Sequence, residues 1–451
     1  MPVSPARAAA FDILLRVERE SSYAAELLHS TTYDKLLTPD HALATELVMG
    51  VLRWRSVLDD TISTASSQTL KKLDQEVLIA LRLAVYQFRW LDRIPKRAAL
   101  HESVELVKRA RKKSAAPFVN AVLRKLATQP LCNSVSSVVK DPSPDELAKS
   151  CAHPKWLVER WSSHYGIPAA SRICTHDQSV PIAAIRLRTS EAENNLAKEG
   201  FSLEPGALLF TARRVPSADV TRTQAFRNHA LVIQDEASQL VAALVGQVEN
   251  TEARILDCCA APGGKTLALA DNNPEAEITA VELHPHRARL MQKLWGSAEK
   301  KIKTVVADAR TLPPSQPFDR ILADVPCSGT GTLARNPEIK WRLQPEDLPE
   351  LHDRQVAILR SALKHLAAGG RLVYSTCSLE KEENEDVVER VLAEYKSIRL
   401  LNCLQELDRL KESGQLSWQN PSTLTSGPYL RTIPGVHPCD GFFAAILERT
   451  T

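Results

Sequence analysis

The sequence predicts a multidomain protein with an all-α N-terminal part and a C-terminal α/β part built on a doubly wound parallel sheet. Two observations predict this. Residues 4–127 place apolar side chains at three- and four-residue spacing almost throughout, which is typical of amphipathic helices. After Ala253, short β-branched runs alternate with helical segments, as in parallel strands covered by helices. The length of 451 residues suits two or three domains.

The N-terminal part is predicted to be helical from about Ala8 onward. Its further helices are expected over residues 41–62, 76–91, 98–111 and 116–127. The next stretch, TQPLCNSVSSVVKDPSPDE at 128–146, lacks hydrophobic order and predicts a linker that leads into a helix cap. We therefore expect a helical domain over residues 1–130.

A small α+β domain is predicted over residues 145–235. The stretch SCAHPKWLVERWSSHYG (150–166) indicates a helix, and residues 181–215 then show strand, helix and strand patterns in turn. Helical spacing resumes at 232–248 and opens the last domain, which is expected over 236–451.

The last domain carries the repeated strand–helix units. Its predicted strands are ARILDCC (253–259), EITAVEL (277–283), IKTVVADA (302–309), DRILADV (319–325) and RLVYSTC (371–377). A helix is predicted over residues 355–370, before the last of these strands. Ligands of such sheets bind at the carboxyl ends of the strands, so the functional residues are expected there.

Composition is that of a soluble globular protein, with 44% apolar and 25% charged residues. No apolar run reaches the length that crosses a bilayer, and the N-terminus lacks a signal-peptide core. None of the nine cysteines forms a C-x-x-C pair, which argues against a zinc site and a disulfide framework. We expect a monomeric cytoplasmic protein with reduced thiols, no metal and no membrane partner.

Positive charge is concentrated in the N-terminal part, although the net charge of the chain is only +3. Residues 1–130 contain 20 Lys and Arg against 14 Asp and Glu, and residues 93–125 contain ten basic and two acidic side chains. The run KRARKK at 108–113 belongs to this segment. Such a surface favours a polyanion, and a solvated helix face rich in lysine explains it equally well.

The segment ILDCCAAPGGKTLALA (255–270) predicts a strand, a tight glycine loop and a helix. Gly263 and Gly264 allow backbone amides to approach a ligand from a helix N-terminus. A nucleoside-triphosphate loop requires glycine at the position of Cys259, and the dinucleotide pattern G-x-G-x-x-G is absent. Lys265 is interpreted as a contact to the carboxylate of the cofactor, and the alternative is that it ends the loop.

Two acidic residues follow the next predicted strands. Glu282 lies at the end of ITAVE, where a carboxylate can accept hydrogen bonds from both ribose hydroxyls of a nucleoside cofactor. Asp308 follows the third strand and can accept from an adenine amino group, although an isolated aspartate is often only a helix cap. An adenosine cofactor without a pyrophosphate fits this order best, and S-adenosylmethionine is the candidate.

Two cysteines follow the fourth and fifth strands, Cys327 in ADVPCSGTG and Cys377 in VYSTCSLEKEEN. A buried thiol is usually an apolar filler, but filler belongs in mid-strand rather than at the edge where a cofactor lies. A thiolate that adds to carbon 6 of cytosine makes carbon 5 nucleophilic toward a methylsulfonium. Asp324 is placed to hold the ring near N3 and to stabilise the added charge.

The motifs DCCAAPGGKT, DVPCSGTG, RNPEIKWRL, RLVYSTCSLEKEENE and PCDGFFAAILER resemble the RNA 5-methylcytosine methyltransferases of the NOL/NOP/Sun group, from about Gln234 to the C-terminus. The resemblance implies a Rossmann-like class I methyltransferase domain, with Cys377 as the nucleophile and Cys327 as an aid to product release. It implies cofactor contacts from Glu282, Asp308 and Asp324. The implied cofactor loop comprises Cys259, Ala260, Ala261, Pro262, Gly263, Gly264 and Lys265.

The helical part resembles NusB-type RNA-binding domains, most clearly in FVNAVLRK (118–125), and the small α+β domain is expected to be RRM-like. Together the domains are similar to the Sun-type branch, bacterial enzymes that methylate one cytosine of 16S small-subunit ribosomal RNA. DNA cytosine methyltransferases use the P-C cysteine for attack, so the T-C-S motif at 376–378 favours RNA over DNA. The alternatives are a transfer RNA or large-subunit RNA target, and a non-catalytic RNA-binding assembly factor.

Three further features are interpreted from the sequence. Residues 335–342 are basic and aromatic, which suits either contact with the RNA that flanks a flipped base or a packed surface loop. Glu382, Glu383 and Glu385 are expected to form the solvated first turn of a helix. His229 departs from the pattern of the family, in which glycine is common at this position.

Overall fold

A computed structural model gives the fold over residues 3–20, 22–30, 32–33, 35–129, 142–216, 219–248, 250 and 252–450. The chain forms two compact units, the first made of Met1–Val180 and Leu333–Arg342, the second of Pro181–Thr332 and Leu343–Thr451. Most of the predicted linker, residues 130–141, lies outside the described residues. The predicted organisation in three domains, 1–130, 145–235 and 236–451, remains a prediction.

The first unit is helical, as expected. Its helices before residue 180 are α1 (Pro5–Glu20), α2 (Ala24–Leu28), α3 (Thr38–Arg53), α4 (Arg55–Ala65), α5 (Gln75–Trp90), α6 (Lys96–Arg109), α7 (Ala116–Thr128), α8 (Pro144–Ser150), α9 (Lys155–Tyr165) and α10 (Ile167–Asp177). The predicted cap is confirmed, because the Ser143 hydroxyl accepts from the amide of Glu146 at the start of α8. The long helices share one apolar core, which includes Ile13, Leu47, Leu81, Val107 and Leu123, and α5 is buried on all sides from Ile79 to Phe88.

The single helix predicted over residues 41–62 is wrong in one respect. The chain leaves helical geometry at Trp54, between α3 and α4, with φ −102° and ψ 15°. The Trp54 ring stacks on Trp90 with ring centroids 5.0 Å apart. No glycine or proline marks this break in the sequence, so periodicity alone could not locate it.

The second unit contains the strands. Its elements are β1 (Ala183–Leu187), α11 (Ala192–Lys198), β2 (Glu204–Pro205), β3 (Ala212–Val215), α12 (Gln224–Arg227), β4 (Leu231–Ile233), α13 (Glu236–Leu244), β5 (Arg254–Asp257), α14 (Gly264–Asn272), β6 (Glu277–Glu282), α15 (Pro285–Trp295), β7 (Ile302–Val306), β8 (Phe318–Asp324), α17 (Leu348–Lys364), β9 (Leu366–Thr376), α18 (Glu385–Leu392), β10 (Ile398–Leu401), α19 (Cys403–Glu412), β11 (Thr425–Ser426), β12 (Tyr429–Thr432) and β13 (Phe442–Arg449). Helix α16 (Ile339–Arg342) belongs to the first unit.

The strands expected in the small α+β region and in the large sheet are present, whereas β4 and β10 to β13 were not predicted from the sequence. Strands β2, β3, β1 and β4 form an antiparallel sheet in that order. The large sheet has the order β11-β12-β13-β9-β8-β5-β6-β7, and β10 pairs with β13. Strands β5 to β9 are parallel, which brings their carboxyl ends to one edge. The expected parallel arrangement is confirmed for β5 to β9, and the sheet continues with antiparallel strands at its C-terminal end, where β13 pairs with β9.

The segment Leu333–Arg342 is part of the helical first unit. Lys340 is 1% exposed and its Nζ donates to the carbonyl of Arg53 at 3.0 Å. The Trp341 indole donates to the carbonyl of Leu52 at 2.6 Å. Burial lowers the pKa of Lys340 to about 7. For Lys340 and Trp341, packing is therefore the correct one of the two interpretations.

The turn that contains His229 keeps the geometry that glycine favours. His229 has φ 57°, in the left-handed region, and its ring packs against Gly296 closely enough to leave no room for a Cβ there. Among the described residues, no helix combines the length and apolar character needed to cross a bilayer.

Candidate active site

The glycine loop lies between β5 and α14 at the carboxyl edge of the large sheet. The amide of Ala260 donates to Val281 in β6, and the amide of Cys258 donates to Leu322 in β8, so both neighbouring strands fix the loop. Gly263 has φ 107°, and a Cβ there would lie 2.8 Å from the Trp295 indole nitrogen. Only glycine fits this position, as the motif predicts.

Asp257, the last residue of β5, holds the loop through hydrogen bonds. It was not among the site residues predicted from the sequence. Its carboxylate accepts from the Thr266 hydroxyl at 2.7 Å and from the Cys259 amide at 3.3 Å. Burial raises the pKa of Asp257 to about 7. The sequence does contain a signal for this role, because an acidic residue at the end of a buried strand requires hydrogen-bond partners.

A cavity of about 390 Å³ opens beside the loop and brings together three predicted residues, Cys259, Glu282 and Asp308, with Pro326. This volume is within the range of small-ligand sites. Glu282 is 5% exposed and accepts from the His284 amide at 2.9 Å. Cys259 is the member of the predicted loop Cys259–Lys265 that lines this cavity.

Asp308, on the other side of the cavity, pairs with Arg310 at 2.6 Å. The hydrogen bond from Arg310 lowers the pKa of Asp308, so this carboxyl stays ionised and able to accept hydrogen bonds. Glu282 and Asp308 thus present carboxylate acceptors to one cavity, and these acceptors suit the hydroxyl and amino donors of an adenosine moiety. In the part of the chain that the structure describes, no group of three or more His, Cys, Asp or Glu side chains could hold a metal ion.

Lys265 is directed at Asp324. Its Nζ lies 2.7 Å from the Asp324 carboxylate and 4.9 Å from the centroid of the Phe442 ring. Burial acts to lower the pKa of Lys265, but the charge of Asp324 and its hydrogen bond outweigh this and leave the pKa above its ordinary value. Asp324 also accepts from the Ser375 hydroxyl at 2.8 Å. Both charges of this partly buried pair are therefore stabilised mainly by each other.

The two cysteines at the strand ends lie in contact, with Cys327 Sγ 3.2 Å from Cys377 Sγ. The sheet register explains this proximity, because Asp324 in β8 pairs with Ser375 in β9, and each cysteine follows within three residues. The hydrogen bond to Cys377, together with burial, raises the pKa of Cys327 well above its usual range. Cys327 therefore retains its proton at neutral pH, and either thiol of this contact can be the donor.

The expectation that Glu383 is solvated is wrong. Glu383 is 0% exposed. Its carboxylate accepts from the Ser328 amide at 2.8 Å and the Gln355 side chain at 2.9 Å, and from the Ser378 hydroxyl. Burial raises the pKa of Glu383, and these hydrogen bonds offset part of that rise. This buried carboxylate lies between the loops that carry the two cysteines.

The chain is similar to known proteins over its whole length. Residues 243–448 match the family model "16S rRNA methyltransferase RsmB/F", and residues 4–128 match the NusB family model. The chain is 32% identical to the "Probable ribosomal RNA small subunit methyltransferase B" of Bacillus subtilis (strain 168), with 100% of both chains covered. It is 30% identical to the "Ribosomal RNA small subunit methyltransferase B" of Shewanella oneidensis, with 91% of both chains covered.

Solved structures show the same fold. The crystal structure of PH0851 has a TM-score of 0.80 at 23% identity and covers 100% of both chains. NSun6 from Pyrococcus horikoshii, solved with SFG, has a TM-score of 0.55 at 21% identity and covers 66% of this chain and 98% of its own. The predicted fold class, with a NusB-like helical part and a methyltransferase domain, is confirmed.

Proposed function

Because the chain belongs to the 16S rRNA methyltransferase RsmB/F family, we propose that it methylates carbon 5 of a cytosine in small-subunit ribosomal RNA. The proposed methyl donor is S-adenosylmethionine, and the proposed intermediate is a covalent bond between Cys377 and the base. The observation that carries the proposal is the contact between the Cys327 and Cys377 sulfurs at 3.2 Å. Nitrogen and oxygen acceptors attack a methyl donor with their own lone pairs, whereas carbon 5 requires prior activation by a nucleophile.

The residues around the cavity suit the proposed cofactor. Glu282 would accept hydrogen bonds from the ribose hydroxyls and Asp308 from the adenine amino group. The loop Cys259–Lys265 would present its amides at the start of α14, and Asp324, which does not line the cavity, would complete the acidic contacts. When bound, S-adenosylmethionine would supply an electrophilic methyl group on a sulfonium.

Cys377 would act as the nucleophile. Its sulfur forms a bond to carbon 6 of the cytosine, and the electron pair of the C5–C6 double bond moves onto carbon 5. After carbon 5 has been methylated, a base removes the proton from that carbon. The double bond re-forms as the C6–S bond breaks, which returns the Cys377 thiolate.

Cys327 would assist the last of these steps. Its raised pKa keeps it protonated, so it is a weak nucleophile that can donate a hydrogen bond to the departing sulfur. The separation of 3.2 Å allows that donation without a movement of either loop.

The RNA is proposed to contact a basic groove between α6 and α7, called here the α6–α7 groove. Its volume is about 750 Å³, and its basic lining residues are Lys96, Arg97, His101, Lys108 and Arg124. Glu105, the acidic lining residue, pairs with Lys108 at 2.7 Å. Neither Arg97 nor Arg124 forms an ion pair with a residue that the structure describes. Two arginines that lack a carboxylate partner suit RNA phosphates.

The run KRARKK at 108–113 contributes less to this surface than its sequence suggests. Arg109 pairs with Asp12 at 3.2 Å, and Lys112 pairs with Asp74 at 3.0 Å. Lys108 is the member of the run that lines the groove. The proposed RNA contact is therefore supported by the basic residues that line the α6–α7 groove rather than by the run as a whole.

Reversal of two groove charges is expected to weaken RNA binding. The double variant Arg97→Glu/Arg124→Glu should lose tenfold or more in affinity. The slope of log K against log salt, which is negative, should become shallower by about 1.4, because each phosphate contact on single-stranded RNA contributes roughly −0.7. Filter binding across a salt series measures both quantities. The matched control, Lys71→Glu/Lys72→Glu, reverses two exposed lysines outside the groove and should keep the wild-type slope. An equal loss in both double variants would contradict a specific role for the groove.

The proposed reaction is tested by incubation of the full chain with 16S RNA and S-adenosylmethionine that carries a labelled methyl group. Nucleosides released from the RNA are expected to contain labelled 5-methylcytosine, and bisulfite sequencing locates the base. Transfer RNA and large-subunit RNA are the comparison substrates, and preferential labelling of either would assign the other target. A non-catalytic assembly factor would transfer no label to any RNA and would show no binding of S-adenosylhomocysteine in calorimetry.

A further inference from the structure

Glu383 makes contacts that its position in the sequence does not suggest. It follows the T-C-S motif in the turn before α18, where an acidic residue is ordinarily exposed to solvent. Instead both carboxylate oxygens are hydrogen-bonded inside the protein, one to Ser328 and Gln355 and the other to Ser378. An ionised carboxylate with three donors is satisfied enough to remain buried.

Two of these donors flank the two thiols. The Ser328 amide belongs to the residue directly after Cys327, and the Ser378 hydroxyl belongs to the residue directly after Cys377. One carboxylate thus ties both cysteine loops to a single point. The Ser328 and Ser378 hydroxyls also contact each other at 3.0 Å, which joins the loops directly.

The remaining donor, Gln355 in α17, fixes the other side of the Cys327 loop. Its side-chain amide donates both to Glu383 at 2.9 Å and to the carbonyl of Pro326 at 3.0 Å. Cys327 is therefore held through the residue before it and the residue after it. A further hydrogen bond joins the two cysteine loops, because the Gly331 amide donates to the carbonyl of Cys377 at 2.8 Å.

We propose that Glu383 is a positioning residue that sets the separation of Cys327 and Cys377. The inference rests on the proposed reaction for its catalytic meaning, because the distance matters when Cys327 donates to the sulfur that leaves the base. Glu383 itself does not touch the reacting atoms. A displacement of one thiol by about 1 Å is enough to cost on the order of 100-fold in rate.

The spacing of the thiols can be measured without a substrate. Mild oxidation with diamide joins Cys327 and Cys377, because the two thiols lose two protons and two electrons and diamide gains both to become its hydrazine. Peptide mapping of the full chain quantifies this particular disulfide against time. We expect rapid formation in the wild type and slower formation in Glu383→Ala, while Glu383→Gln remains close to wild type. The amide of glutamine can still accept from Ser328 and can donate to the Ser378 hydroxyl.

Enzyme kinetics then test the catalytic consequence. Glu383→Ala is expected to lower kcat about 100-fold with an unchanged KM for S-adenosylmethionine, and to accumulate more covalent protein–RNA adduct than the wild type. Glu389→Ala removes an exposed carboxylate from α18 and serves as the matched control. If Glu383→Ala does not fold, Ser378→Ala removes one of the three donors to Glu383, together with the hydroxyl's contacts to Ser328 and to the Glu380 amide, and should show the same changes in smaller measure.

Distinct results overturn the inference and the proposed function. Folded Glu383→Ala that forms the disulfide at the wild-type rate would overturn the positioning role. Glu383→Gln that is as impaired as Glu383→Ala would also overturn it, since the charge rather than the hydrogen-bond geometry would then matter. A wild-type protein that transfers no methyl group, but whose disulfide formation slows in Glu383→Ala, would refute the proposed reaction alone.

Discussion

Replacement of Cys377 by alanine is expected to abolish methyl transfer, and replacement of Cys327 by alanine is expected to trap the protein on its RNA. The first variant lacks the sulfur that activates carbon 5, so the loss should reach the detection limit of a labelled-methyl assay. The second variant still attacks and methylates the base but lacks the donor 3.2 Å from the departing sulfur. Its adduct should migrate as a slow band on a denaturing gel.

The pKa of Cys327 helps to assign the two roles. It is raised by the hydrogen bond with Cys377 and by burial, and a protonated thiol is a weak nucleophile. Cys327→Ser is the informative control, since a hydroxyl can still donate to the departing sulfur and should release more of the adduct than alanine does. The opposite pattern, with adduct in Cys377→Ala and full activity in Cys327→Ala, would show that the roles are exchanged.

The sequence was a good guide to residues that lie close to strand ends. Glu282, Asp308 and Cys259 end or follow separate strands, and they line one cavity because parallel strands place their carboxyl ends at one edge. The same rule brings Cys327 and Cys377 together. For these residues, the order of strands and the distance from each strand end were sufficient information.

Residues whose environment depends on distant chain segments were poorly predicted. Glu383 is buried by an amide 55 residues earlier in the chain, and Lys340 by a carbonyl 287 residues earlier. Local charge patterns suggested solvent for the first and left RNA contact open for the second. Burial of a charge requires partners that the neighbouring sequence does not supply, so local pattern could not reveal either.

The C-terminal boundary of one predicted helix is wrong for a related reason. The helix expected over residues 355–370 ends at Lys364, and β9 begins at Leu366. Leu366 pairs with Phe318 in β8, so the sheet extends further back along the chain than the helical periodicity indicates. Pairing with a neighbouring strand overrides local propensity at such boundaries.

Removal of the charge of Asp324 is expected to be the second most damaging change at the site. Asp324→Asn should lower kcat by roughly 10²- to 10⁴-fold, the range that acid–base groups contribute. It should also lower the melting temperature, because the ammonium of Lys265 then stays buried without its carboxylate at 2.7 Å. Lys265→Met should destabilise the protein for the converse reason, since it leaves the Asp324 carboxylate without its cation.

The double variant Lys265→Met/Asp324→Asn separates folding from chemistry. It removes both charges, so no uncompensated ion remains, and the melting temperature should recover toward the wild-type value while kcat does not. Calorimetry with S-adenosylhomocysteine on Lys265→Met decides what the lysine contacts. An unchanged affinity for S-adenosylhomocysteine with a reduced kcat would support the interpretation that Lys265 orients Asp324, in agreement with their hydrogen bond. A large loss of affinity would instead assign Lys265 to the carboxylate of the cofactor. The ion pair between Lys265 and Asp324 would then be broken when the cofactor binds.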